Sequence, residues 1–563
     1  MHPVHVVFRF PGANATDTEK QTLQTGPVNA TSSSEFYIAL LANRQWWGAE
    51  LANEGMMTLD LPSPAATNGS WLAQQAVQTI VRSMITRENT WHPRFGVKPG
   101  YGDIVHDGLL GVFTATATAA LEWGAMPYAR GVIDNQFSHY VRVDGMVWSR
   151  AVELPAAARM LTILALYHSY SGDAALLLKH FSKARALAGL LIARRAASLQ
   201  FPATDPRHGI PSGGDEARDG VGPGLMNHDD PPQHWYASAA ELYRAFAEAG
   251  TAWVAVGKAA GRADIAKHGD ELLRLAPLLF ADLHTSLNQT VNTSVAGARC
   301  WQLTAEQPAP AQTSFRGFAE MMYSGALSAE QTADIYAAAS GGSSCGATRF
   351  LTLGSPGLAD SATLESTSPF GFAYGLLQSD MVEKFLLHFF TCSAHGYTRG
   401  SFTNPESSNL ANRDEPTAAY TAAGVTMTPI YLKWMLCFEE PETKTLWLGK
   451  AVPREWLAVG EAPLVAANLT TRYGRISFHM AAKGKTIQAS ATLPAGFATA
   501  GPAGGLRIRI RAPLFTGKLS TVTLGGKPWV GVNTADETIV VSAAELTASL
   551  ITHGLTSIVA TFA

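Results

Sequence analysis

The chain has little charge and little cysteine. Only 15% of its 563 residues are Asp, Glu, Lys or Arg, and the formal net charge is −3 with a sequence pI near 6.6. That balance gives no basic face, which argues against nucleic acid as a partner. The four cysteines, Cys300, Cys345, Cys392 and Cys437, are widely spaced. None falls in a CxxC or a Cys/His finger, so structural zinc is disfavoured. A Cys300–Cys345 disulfide and isolated buried thiols are both compatible with the spacing. There is no run of about 18 uncharged apolar residues, so no membrane span is expected. Also absent are a GxSxG elbow, a papain-type Cys signature, a GxxxxGK[ST] loop and a GxGxxG after a strand. Residues Gly341 to Gly346, GGSSCG, follow a helical stretch and open none, so they read as a loop. No cofactor is implied, and nothing encodes an oligomeric state.

What is present is a large apolar fraction. Hydrophobic residues make up 47%, enough for a globular chain of two or three domains with a large core. Six Asn-x-Ser/Thr sequons occur, at Asn14, Asn29, Asn68, Asn288, Asn292 and Asn468. Chance gives about two or three at this composition, so they point weakly to a secreted or lumenal glycoprotein. The first residues, MHPVHVVFRFPGANAT, carry no signal-peptide apolar core and read like a strand entered midway. Truncation from a longer precursor is the expectation.

Residues 1–70 are irregular, Ser/Thr/Asn-rich, with a partial β character. From 71 to 440 the apolar spacing becomes helical. Helices are expected over Trp71–Met84, Asp107–Trp123, Met126–Tyr140, Leu154–Tyr170, Ala174–Leu199, Ala237–Gly257, Ala263–Leu283, Phe315–Tyr323, Ser328–Ala339, Phe370–Thr391 and Pro416–Phe438. Ser171-Gly172-Asp173 stops one helix and caps the next. Near residue 440 the pattern changes to short alternating stretches rich in Val, Ile and Thr, of which GLRIRIRAP is the clearest. Residues 441–563 therefore read as a β-sandwich.

Four loops concentrate acids with aromatics, Arg and His. The longest, Gly209 to Tyr236, holds Asp215, Glu216, Asp219, His228, Asp229, Asp230, His234 and Trp235. A loop this long in a compact domain is usually functional or disordered. Its closing aromatic pair favours order. The others contribute Asp103, His106 and Asp107; Trp148, Arg150 and Glu153; and Arg399, Phe402 and Glu406. Cleaving a glycosidic bond needs two carboxyls, one protonated and one ionised. Each acid also has a structural reading. Asp107 fits a helix N-cap, and Glu153 fits a first-turn acid. Asp215 and Glu216 fit a helix start, and Glu406 fits a solvent-exposed loop. The run His228-Asp229-Asp230 invites a metal, but calcium loops repeat their oxygen ligands more closely, so no metal is expected.

With DIVHDG, YVRVDGMVWSRAVELPAAARML, GIPSGGDEA, FTNPESSNLANRDEP and TLWLGKAVPREWL followed by YGRISF, residues 70–563 resemble the six-hairpin glycosidase superfamily. The resemblance implies a mainly α fold with a β domain: an (α/α)6 toroid followed by a C-terminal β-sandwich. It implies a glycoside hydrolase acting on an oligosaccharide or glycoside. It also implies a general acid at Asp215 or Glu216 and, for an inverting enzyme, a base at Glu406. Asp103 takes the place of a sugar-binding acid. Alternatives are a lyase or epimerase on the same toroid, using Tyr101, His106, His228, His234 or Tyr236, and a non-catalytic carbohydrate-binding protein.

Overall fold

The computed structural model describes residues 41, 42, 45, 55–62, 96–97, 110–147, 153–213, 233–293, 297–306, 317–341, 345, 363–365, 370–397, 404–405, 407–409, 420–513 and 517–563. Eleven helices precede the sandwich among them: α1 Leu110–Trp123, α2 Met126–His139, α3 Leu154–Ser171, α4 Ala174–Ser198, α5 Tyr236–Ala259, α6 Ala263–Thr290, α7 Gly317–Tyr323, α8 Ala329–Gly341, α9 Phe370–Gln378, α10 Val382–Gly396 and α11 Ala422–Leu436.

The odd-numbered helices form a closed inner ring. α1 packs on α3, α3 on α5, α5 on α7, α7 on α9, α9 on α11, and α11 back on α1. The even-numbered helices lie outside. Burial separates the two sets. In α3 every residue from Leu154 to Tyr167 is buried, as an inner helix requires. In α4 only one stripe is buried, including Leu177, Phe181, Ala184, Leu187 and Leu191. The α3–α4 turn is built as expected. Gly172 ends α3 at φ 72, and the Asp173 carboxylate accepts from the Ala175 N–H at 2.8 Å.

One expected helix divides. Phe370–Thr391 is a hairpin, α9 and α10, broken at Ser379–Met381. No Gly or Pro marks the break. Asp380 adopts φ 58 there, and Arg509 grips its two carboxylate oxygens at 2.7 and 2.8 Å. A partner 129 residues away thus holds a turn that local propensity does not announce. The split supplies the fifth inner helix of the ring. The expected helix over Trp71–Met84 lies outside the described residues.

The sandwich strands are β1 Thr58–Asp60, β2 Cys437–Glu440, β3 Thr445–Leu448, β4 Leu464–Thr471, β5 Gly474–Lys483, β6 Thr486–Thr492, β7 Leu506–Arg509, β8 Leu519–Leu524, β9 Lys527–Pro528, β10 Val532–Asn533, β11 Thr538–Val541 and β12 Ile558–Phe562. One sheet runs β1-β4-β5-β6-β12-β8-β9, the other β10-β11-β7-β3-β2. Neighbours are antiparallel except β7 and β3. The chain therefore has the mainly α architecture with a β domain that the resemblance implied, an (α/α)6 ring followed by a β-sandwich.

Two boundaries differ from the expectation. After the ring the sandwich resumes at Cys437, directly after α11, where β2 is buried along its whole length and pairs with β3. Residues 58–60 are not a separate segment, since Thr58–Asp60 pair with Val465–Ala467 as an edge strand. The Asn468 sequon sits at a register shift in β4, and its Nδ2 donates to the Met56 carbonyl at 3.1 Å. Cys300 and Cys345 form a disulfide with a Cα–Cα distance of 5.2 Å, and Cys392 and Cys437 are free thiols. Among the described residues no helix is long and apolar enough to cross a membrane.

Candidate active site

The ring has two unlike ends. Inner helices pass to outer ones through short turns: Gly124–Ala125, Gly172–Asp173, Ala260–Arg262, Ser324–Ser328 and Ser379–Met381. Outer helices return through long connections over residues 140–153, 199–235, 291–316, 342–369 and 397–421. Up-down alternation puts the inner N-termini at the long-loop end. The dipoles of the inner helices favour negative charge at that end.

The short-turn end is covered by the sandwich. Arg475 donates to the Gly124 carbonyl, Tyr170 donates to Glu439 at 2.7 Å, and Arg472 forks onto Glu248 with two 3.1 Å bonds. Burial pushes the Glu248 carboxyl up, but Arg472 outweighs it and holds the group below the usual range. Arg509 reaches Asp380 and Arg511 reaches Glu383. In GLRIRIRAP, then, Arg509 and Arg511 do not face solvent: both are buried against the ring.

Most of the site residues expected from sequence lie outside the described residues. These are Asp103, His106, Asp107, Trp148, Arg150, Asp215, Glu216, His228, Asp229, Asp230, Arg399, Phe402 and Glu406. Three are described. Glu153 is the N-cap residue of α3, not a first-turn acid; it is 2% exposed and its side chain makes no capping bond. Trp235, expected on a sugar-binding wall, is 3% exposed. It packs into the core as the N-cap of α5 and leaves no open face for stacking. His234 is buried too, with its ring edge-on to Phe201 and Nδ1 2.7 Å from Glu306.

These residues build the root of the long loop. Gly213 donates to the Gln233 carbonyl at 3.1 Å, closing the loop into a neck. Gly213 lies close to Leu154: a Cβ there would meet Leu154 Cδ1 at 2.4 Å, so the leucine side chain would have to move. The neck is stitched sideways to the next rim segment. Tyr236 N–H bonds to Leu303 O at 3.0 Å, and Ala305 N–H to His234 O at 3.0 Å. Glu306 also accepts from the His234 N–H at 2.9 Å. Burial raises the Glu306 carboxyl, but the His234 ring and backbone donors prevail and lower it overall. The disulfide clamps this rim segment at Cys300.

Below the rim, charged and aromatic side chains fill the ring axis in two layers. In the upper layer the Arg159 guanidinium, from α3, binds Glu241 of α5 and lies 3.6 Å from Glu320 of α7. It also sits 4.9 Å from the Phe370 ring centroid, at the start of α9. One side chain thus meets three other inner helices. Complete burial pushes the Glu241 carboxyl above the usual range despite Arg159 beside it. In the lower layer Arg244 covers the rings of Tyr323 and Tyr374 at 4.2 and 4.7 Å. Tyr374 packs edge-on to Trp434, whose Nε1 donates to Glu122 of α1 at 2.9 Å. Sequence reasoning missed Arg159 and Glu241. Arg159 had one signal, a lone charge inside the otherwise apolar LPAAARMLTILAL, and Glu241, which shares α5 with Arg244, Glu248 and Lys258, had none.

No protein-family model and no curated protein matches the sequence. The fold is similar to solved structures. An α-L-rhamnosidase from Dictyoglumus thermophilum aligns with 90% of this chain and 50% of its own, at 10% identity and a TM-score of 0.48. A Streptomyces avermitilis α-L-rhamnosidase, complexed with L-rhamnose, aligns with 90% of this chain and 42% of its own, at 11% identity and a TM-score of 0.47. A metal-independent α-mannosidase from Streptococcus pneumoniae, bound to α-1,6-mannobiose, aligns with 70% of this chain and 98% of its own, at 12% identity and a TM-score of 0.43. The chain spans half the length of the first rhamnosidase and less of the second.

Proposed function

We propose that the protein is a glycoside hydrolase whose site opens at the long-loop end of the ring. One observation carries this reading. The four acid- and aromatic-bearing loops lead into α1, α3, α5 and α11, and all four helices start at that end. A shared end for the helices that follow these loops supports a reading in which acids far apart in the chain face one mouth, as paired-carboxylate chemistry needs.

The mechanism we propose is inverting. Asp215 or Glu216 donates its proton to the glycosidic oxygen as the C–O bond to the anomeric carbon breaks. Glu406 takes a proton from a water that attacks the opposite face. Such a pair stands about 6.5–9.5 Å apart. The acid must hold its proton at working pH, which shielding from water accomplishes. The base is favoured as an anion near helix N-termini. Asp103, His106, Asp107, Trp148, Arg150, His228, Asp229, Asp230, Arg399 and Phe402 are proposed to contact the sugar, whereas Glu153, like Trp235, is buried. His234 serves by anchoring the loop.

The test is a panel of aryl glycosides and oligosaccharides, with the product anomer followed by NMR. Glu406→Gln and either Asp215→Asn or Glu216→Gln should lower kcat by about 10²–10⁴-fold, with unchanged melting temperature. Wild-type rates in all three variants would remove the residue assignment. A retained anomer would remove inversion. An unsaturated product absorbing in the near ultraviolet would make the enzyme a lyase.

A further inference from the structure

We infer that Arg159, clamped by Glu241 and Glu320, is a positioning residue that sets the geometry of the neck from which the candidate acids depart. The inference rests on the hydrolase reading for its kinetic arm only. Arg159 and Glu241 lie in the second turns of α3 and α5, and Glu320 in the first turn of α7. The ionic contacts therefore brace three adjacent inner helices just beneath their rim ends. The same three helices carry the stitched rim segments. Leu154, the first residue of α3, abuts Gly213. Gly213 pairs with Gln233 ahead of α5, and Trp235 pairs with Thr304 ahead of α7. A shift of α3 against α5 would be felt directly at the neck.

Direct catalysis is a poor fit for these groups. Glu241 is fully buried and already bound to a cation. Stability alone is a poor explanation as well. Glu241 Oε2 and Arg159 Nε are buried without hydrogen-bond partners. Buried ion pairs are often replaceable by apolar residues at no loss of stability. What a guanidinium fork supplies and an apolar pair does not is a fixed, directional separation between helices.

The experiment compares Arg159→Met with the double variant Arg159→Met/Glu241→Leu. The single variant leaves Glu241 uncompensated and should lose both melting temperature and activity. The double variant should regain melting temperature relative to the single variant, because Glu241 no longer stands without the Arg159 cation. Its kcat should stay about 100-fold below wild type, with KM within about threefold, as misplacement by an ångström can cause. The amides of Gly213 and Tyr236, bonded to Gln233 and Leu303, should exchange about tenfold faster, with α4 amides unchanged. Wild-type kcat in the double variant, or wild-type exchange at both amides, overturns the inference. If neither variant folds, Glu241→Gln takes the same measurements, keeping the hydrogen bond while removing the charge. If the wild-type protein cleaves no glycoside, the hydrolase reading falls and amide exchange alone decides the role of Arg159.

Discussion

The two ends of the ring are made from the same helices but solve different problems. At the short-turn end the connections are brief, and the arginines Arg472, Arg475, Arg509 and Arg511 reach from the sandwich onto ring carboxylates and carbonyls. At the long-loop end the connections are extended and are held at their roots by backbone pairing, as at Gly213–Gln233 and Trp235–Thr304. Side-chain charge between domains stabilises; backbone pairing at a loop root holds the root without needing a side chain from the loop. Loops positioned by a rigid scaffold are where chemistry usually resides.

That contrast can be broken by substitution. The largest effect on stability is expected at the short-turn end. Glu248→Ala leaves the Arg472 guanidinium partly uncompensated and should cost about 3–5 kcal/mol by denaturant unfolding. Activity per folded molecule should be unchanged, and a matching loss of kcat would mean that the two ends are not separable. At the other end Gly213→Val forces a branched side chain against Leu154 and should cost about 1–3 kcal/mol. Here kcat should fall as well, and a normal kcat would detach the neck from function.

A pH scan sharpens the loop-root side. The Glu306 carboxyl titrates below its usual range when folded. Its contribution is therefore complete above the ordinary glutamate pKa and is lost as pH falls through the lower folded value. The difference in unfolding free energy between wild type and Glu306→Gln should be about 1 kcal/mol at neutral pH and shrink below about pH 4. A difference that grows below about pH 4 would contradict the His234 bond. An equally small effect belongs to Gly172→Ala. A Cβ there meets nothing within 4 Å, so only the positive φ matters, and about 1 kcal/mol is expected.

Much of this architecture was legible because it is written in periodicity and turn chemistry. The bounds of α3, α4 and α5 followed within two residues from apolar spacing and from Gly172 and Asp173, whereas α6 runs on to Thr290, past the expected end at Leu283. The α9–α10 break was not legible, because Asp380 turns there only with Arg509 to hold it. Nor did alternation in GLRIRIRAP reveal that Arg509 and Arg511 point into a domain interface rather than water. Trp235 illustrates the same limit at the site. An aromatic next to acids looks like a sugar platform in sequence, whereas Trp235 is buried, with its backbone paired to Thr304 of another loop. Arg159 and Glu241 were hidden for the opposite reason. Their helices were recognised, but facing the ring axis is a property of six helices together.

The strand Thr58–Asp60 has a consequence for how the molecule comes into being. It is made before the ring, yet the strand it pairs with, Leu464–Thr471, is made after the last ring helix. The ring itself closes only when α11 meets α1. During synthesis from the N-terminus the early strand must wait, unpartnered, for some four hundred residues of later chain. Pairing across such separations is slow and exposes edges to misassembly. The chain should therefore acquire its native state late and all at once rather than helix pair by helix pair, and fragments ending within the ring should be poor substitutes for the whole.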